Sequence, residues 1–244
     1  MPKINTRWKV EPHDPLEQLD EGLATVAGQI RMPLGQFPRR MTIVSLKGGR
    51  SAIWSAIPVD EPTMAKIESM GRIAVLIVPN PGHRLDIRAW KARYPAAQVL
   101  CTPGAREGVE NVIPVDATRD VLDDPTVDFL TVPGLAGKEA ALSVQRRDHV
   151  TLVLNDILAN VRHPRGLGAQ VMARAMGFGV HRPQVPRVCR RVYVKDTKAL
   201  ASWLQQWARE SRLKRIVVSH GEVIEDAPRD VLANVASELA ESTG

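Results

Sequence analysis

Apolar residues recur along the chain with two distinct periods. Met41 to Leu46 and Ser51 to Ile57 are β-rich runs separated by Lys47, Gly48, Gly49 and Arg50, which predicts an antiparallel hairpin closed by a glycine turn. The period then changes. Met64, Ile67 and Met70 stand at helical spacing between Pro62 and Gly71, and a fully apolar run, Ile73 to Val78, predicts a buried strand. Pro79, Pro81 and Gly82 break the pattern, and Asp86 stands where an N-cap would for a helix through Trp90 to Arg93, ended by Pro95.

Further on, Val99 to Cys101, Thr126 to Val132, Ala140 to Val144 and Val150 to Leu154 read as strands. Leu200, Trp203, Leu204 and Trp207 line one face of a helix over Thr197 to Glu210. Ile216 to Val218 is a last strand that delivers Ser219, His220 and Gly221 to its C-terminal end, and a helix over Pro228 to Leu239 follows. Early strands, alternating helices, a β-rich middle and a terminal strand plus helix predict an α/β domain with two sheets sandwiched between helices.

Composition narrows the class. The 244 residues are 44% hydrophobic and 25% charged, as expected of one globular domain spanning 1–244. The longest apolar run is too short to cross a bilayer, and Met1 to Leu19 is charged without an apolar core, so no membrane association and a cytoplasmic location are expected. Cys101 and Cys189 are far apart, which argues for two buried thiols rather than a disulfide or thiolate metal site. No G-x-G-x-x-G or Walker pattern surrounds Gly48, Gly49 or Gly104, and no Ser sits in G-x-S-x-G.

The net charge of +6 is concentrated between Arg162 and Lys195, where seven Arg and one Lys meet no Asp or Glu. Interspersed Gly and Pro predict an irregular Arg-rich insertion at about 160–195. Arg162, Arg165, Arg187 and Arg190 are candidates for holding a small anionic molecule. The alternative is a solvated segment whose arginines pair with acids such as Asp123, Asp124 and Asp128. Phe178 and Tyr193 are the only aromatic residues there, too few to favour sequence-specific nucleic-acid recognition.

The run IAVLIVPNPGHRLD (73–86) resembles the strand and metal-binding loop, H-x-H-x-D-H, of the metallo-β-lactamase-like superfamily. VPGLAGKE (132–139), TLVLNDIL (151–158) and VVSHGEVI (217–224) follow in matching order. MTIVSLKGG, SAIPVD and YPAAQVLCTPG are similar to an uncharacterised branch of it, and the likeness spans residues 20 to 226. The resemblance implies a four-layer αββα sandwich. It also implies a degenerate metal motif. With His83 on the second loop histidine, Pro81 replaces the first, Leu85 the Asp and Asp86 the last His, while Leu135 replaces the ligand of P-G-H. If the alignment slips by one, Asn80 takes the first position.

On that resemblance His83, Asp86, Asp156 and His220 are the candidate ligands of one divalent ion, zinc, manganese or iron. Asp86 is also explained as a helix cap and Asp156 as a turn residue. Glu139 and Asp156 are the candidate catalytic carboxylates, Glu139 as a general base, although an ion pair would also account for Glu139. His220, expected at a rim where ligands bind in sheets of this kind, depends least on the alignment. His13, His149, His163 and His181 lack such placement. Two functions follow: a metal-dependent hydrolase of an anionic ester, amide or thioester, or a non-catalytic, metal-free protein that holds an acidic ligand or partner.

Overall fold

A computed structural model of the chain describes residues 4–32, 35–164 and 166–241. The first sheet is built in chain order: β1 (Glu17–Asp20), β2 (Leu23–Met32), β3 (Gly35–Leu46), β4 (Arg50–Trp54), β5 (Arg72–Ile77) and β6 (Gln98–Leu100). Its first four strands pair antiparallel, and β4–β5 and β5–β6 pair parallel. Parallel neighbours need crossovers, which α1 (Glu61–Ser69) and α2 (Ile87–Arg93) provide. The Asp60 carboxylate starts α1 by accepting from Thr63 N at 2.8 Å, with Pro62 in the first turn. A 3-10 turn, Pro103–Ala105, and α3 (Arg106–Glu110) follow β6.

The second sheet contains β7 (Val127–Thr131), β8 (Ala140–Arg146), β9 (His149–Leu154) and β10 (Leu213–Val218) in the order β10-β9-β8-β7, with β9 and β10 parallel. Between β9 and β10 come α4 (Leu167–Met176), α5 (Arg187–Val192) and α6 (Thr197–Ala208), and α7 (Pro228–Glu241) closes the described chain.

Most buried apolar residues fall into three stacked layers, which is why the central strands read as continuous rather than alternating runs. Ile53 and Leu76 pack with Met64, Ile67, Ile87 and Trp90 from α1 and α2. On the opposite face, Ala52, Trp54, Val75 and Ile77 meet Leu142, Val144, Val153 and Val217 of the second sheet. Leu152, Leu154, Ile216 and Val218 pack against Leu200, Leu204, Leu232 and Val235 of α6 and α7. The result is the expected αββα order. A register shift between β4 and β5, with Ser51 opposite Ile73 but Ala52 opposite Val75, places both Ala74 and Val75 on the inter-sheet face.

Three expectations need correction. The sheet begins with β1 and β2, ahead of the predicted hairpin, because β2 and β3 pair residue for residue from Leu23 with Val44 to Met32 with Gly35. The Arg-rich segment is not irregular throughout, since α4 and α5 lie within it. Asp86 occupies the N-cap position of α2, yet its side chain makes no cap hydrogen bond. The tryptophans are packing residues: Trp54 and Trp90 are fully buried, and the Trp8 ring packs at a tilt against Trp90, 5.0 Å between centroids. Cys101 and Cys189 are buried free thiols. No described helix is long and apolar enough to cross a membrane.

Candidate metal centre

The C-terminal ends of β5, β9 and β10 open toward one end of the two sheets, where a sheet with parallel strands presents its loops to ligands. β5 leads into the loop carrying Asn80 and His83, β9 into Asn155 and Asp156, and β10 into Ser219 and His220. The β10 loop is held from several sides. Arg40 N donates to Ser219 O at 2.8 Å, Trp54 Nε1 to Ser219 Oγ at 3.2 Å, and Asn160 N to His220 O at 3.0 Å. Gly221 has φ +110°, and a Cβ there would stand 2.0 Å from Asn160 O, so only glycine lets the two backbones approach this closely.

These loops bring His83, Asp156 and His220 together, with one donor atom from each within 4.8 Å of the others. His83 Nε2 is 3.2 Å and His220 Nε2 is 3.1 Å from the same oxygen, Asp156 Oδ1. The remaining atoms are committed to support. His220 Nδ1 donates to Pro38 O at 2.8 Å, and His83 Nδ1 pairs with Ser55 Oγ at 2.8 Å. Ser55 holds φ +54° just past β4, a conformation that a non-glycine residue seldom adopts. Asp156 Oδ2 accepts from Asn80 Nδ2 at 2.7 Å.

Burial opposes ionisation of Asp156, but the charge of His83 and hydrogen bonds from His220 and His83 hold its carboxyl well below the usual range. Burial likewise works against a charged His220, and the bond to Asp156, the Asp156 charge and the Pro38 carbonyl override it, raising its pKa. The His220 side chain is 13% exposed and lines the cavity at this end of the sheets.

The donor set fits a divalent ion. A carbonyl such as Pro38 O can only accept, so His220 Nδ1 carries the hydrogen and a neutral ring offers its Nε2 lone pair. Two imidazoles and one carboxylate match sites that hold zinc or iron and leave further positions open.

No protein-family model matches the sequence, and no curated protein matches it. Solved structures do match. The chain is similar to the DIM-1 metallo-β-lactamase exposed to ceftazidime, with TM-score 0.63 and 11% identity over 94% of this chain and 99% of that one. A metallo-β-lactamase from Erythrobacter litoralis with β-mercaptoethanol in the active site gives TM-score 0.61 and 15% identity over 91% and 96%. One from Hirschia baltica gives 0.59 and 13% over 93% and 98%. The chain has the metallo-β-lactamase-like fold.

On this metallo-β-lactamase-like scaffold the other candidates have different places. Asp86 is not part of the three-residue cluster: it is buried, ion-paired with Arg39 and hydrogen-bonded to Asn5 Nδ2 at 2.7 Å. Glu139 is only 1% exposed and does not line the cavity at the centre. Its oxygens accept from Asp156 N at 2.9 Å and Asn80 Nδ2 at 2.8 Å, so its partners are an amide side chain and a backbone N–H rather than a basic residue. Burial and then the Asp156 charge push the Glu139 carboxyl well above the usual range. Asn80 Oδ1 also accepts from Gly82 N at 2.7 Å, so Asn80 fixes the His83 loop, Asp156 and Glu139 at once.

The cavity beside the cluster has a volume of about 220 Å³. The insertion closes it with Phe178, Pro186, Val188, Cys189 and Tyr193. Arg162, Arg187 and Arg190 are exposed and outside that lining, and Arg165 lies outside the described residues. Asp123 and Asp124 do not neutralise the insertion. Asp123 pairs with Lys47 at 2.9 Å, and Asp124 accepts from Lys47 N, while Arg182 pairs with Glu238 at 2.7 Å.

Sequence reasoning missed Ser55, Arg39, Phe37 and the supporting role of Asn80. Only Asn80 left a signal, as the polar residue in the alternative loop alignment. Ser55 and Phe37 come from strand ends far from any metal motif.

Proposed function

We propose that the chain is a metal-dependent hydrolase with a mononuclear centre held by His83, Asp156 and His220. The observation that supports this reading is the convergence of both Nε2 atoms on Asp156 Oδ1 while each Nδ1 is occupied by its own partner. A divalent ion held there supplies a Lewis acid that polarises a carbonyl and acidifies water. The reaction adds water across an ester, amide or thioester. A C–O bond forms at the acyl carbon, the bond to the leaving group breaks, and a proton passes to the departing alcohol, amine or thiol.

The chain's own residues orient and enclose. Ser55 and Pro38 set the ring planes of His83 and His220, and Asn80 sets the Asp156 carboxylate. Glu139 acts as a positioning residue through Asn80, because its enclosed oxygens have no path to a substrate in the cavity. Burial raises the Tyr193 pKa, with Asp156 adding to the effect, which keeps its hydroxyl protonated and able to donate a hydrogen bond.

Metal content of protein purified without chelator tests the reading. The expected result is about one ion per chain after loading with zinc, manganese or iron, lost in His83→Ala and His220→Ala. Less than about 0.2 ion per chain, with no gain on loading, rejects the hydrolase and leaves the metal-free binding protein.

A further inference from the structure

The wall of the cavity differs in chemistry from the outer surface of the insertion that forms it. Outside, Arg174, Arg187, Arg190 and Arg191 are exposed to solvent. Inside, Phe37 and Phe178 stand edge to face at 4.4 Å between centroids, and their rings lie 5.2 and 5.9 Å from the His220 ring. Met172 and Ala173 of α4 and Val161 back this pair as a small core of their own. Ile30, Leu85 and Val188 complete the apolar wall. Arg39 is the one described arginine in the lining, and its charge is already compensated by Asp86.

We propose that the ligand accommodated beside His83, Asp156 and His220 carries an uncharged aromatic or aliphatic group, packed against Phe37, Phe178 and Val188. As a substrate it is an ester, amide or thioester of a hydrophobic acid. The substrate statement rests on the hydrolase reading; the ligand statement does not. An anion in this space would lose its hydration and find the Arg39 guanidinium already paired with Asp86, whereas an apolar group gains on transfer from water. The size is sufficient: an apolar cavity of about 150 Å³ takes benzene, and this one is about 220 Å³.

The test uses metal-stripped protein titrated with benzyl alcohol, benzoate and phenyl phosphate, followed by NMR. Benzyl alcohol should bind at least about tenfold more tightly than either anion, which is a modest fraction of the cost of desolvating a charge. Val188 is 39% exposed on α5, so Val188→Asp is compatible with folding. That change should weaken benzyl alcohol binding about fivefold or more, whereas Val188→Leu should preserve it. Failure of benzyl alcohol to bind, equal or tighter binding of an anion, or indifference to Val188→Asp overturns the proposal.

With metal-loaded protein, kcat/KM for p-nitrophenyl acetate, butanoate and hexanoate should rise by about fourfold per methylene until the cavity is filled. Benzyl alcohol binding as expected without turnover of any ester rejects the hydrolase reading and supports the ligand class. Turnover that falls with chain length overturns the assignment of a hydrophobic acyl group.

Discussion

Asp86 and Asp156 occupy loops at the same end of the sandwich, yet their surroundings differ in kind. Asp86 is buried against the Arg39 guanidinium and the Asn5 amide, so its charge is compensated within the fold. Asp156 faces two imidazoles whose outer nitrogens are anchored elsewhere, and a divalent ion can take the space its charge shares with them. A carboxylate near a site becomes a ligand when its compensating partners are themselves able to ligate. Arginine, always protonated, cannot.

Removing the compensation at Asp86 should have the largest effect. Arg39→Met leaves a buried carboxylate without its cation and is expected to cost about 3–5 kcal/mol in urea denaturation, with Asp86→Asn in the same chain restoring most of it. If the single variant is as stable as the parent, the Arg39–Asp86 contrast with Asp156 is lost.

A third enclosed carboxylate extends the comparison. Asp20 accepts from His149 and from Arg215 Nη1 at 3.2 Å. Burial raises its pKa, and the His149 bond, the Glu21 N–H and Arg215 outweigh that, lowering it from 3.8 to about 2. A depressed carboxyl pKa stabilises the fold above the unfolded value, so this contribution is complete above about pH 4 and lost as pH falls through 2. Denaturation of parent and Asp20→Asn between pH 5 and 2 should therefore converge at the acid end. A constant gap across that range would show that Asp20 contributes by something other than its charge.

On the Asp156 side, Ser55→Ala removes the partner that orients the His83 ring. Metal affinity is expected to drop about tenfold, while thermal stability changes by less than the effect of Arg39→Met. Unchanged affinity in a metal-binding parent would show that His83 needs no such support. Smallest of all, Arg190→Gln should shift stability by less than about 0.5 kcal/mol and leave metal content and benzyl alcohol binding as they were, because Arg190 is exposed and off the cavity wall. A substantial loss of ligand binding would return the insertion's arginines to the site.

Apolar patterning, with Pro and Gly as punctuation, was enough to place α1, β5 and α6, since their apolar residues face one or two packed layers and repeat accordingly. Ordered motifs around His83, Asp156 and His220 carried the fold family, and the contrast between an eroded loop and two retained positions was also visible there. The partners of those residues were not. Asp86 read as a helix cap and Asp156 as a turn residue, each also a candidate ligand, and nothing local distinguishes one that will meet Arg39, 47 residues away, from one that will meet two histidines. The Arg-rich segment shows the same division: its sequence specified charge, but only the packing of α4 and α5 turned Phe178 and Val188 inward and Arg187 and Arg190 outward. Local sequence determines period and backbone preference, whereas charge compensation and cavity chemistry depend on pairs that become neighbours only when distant strand ends are brought together.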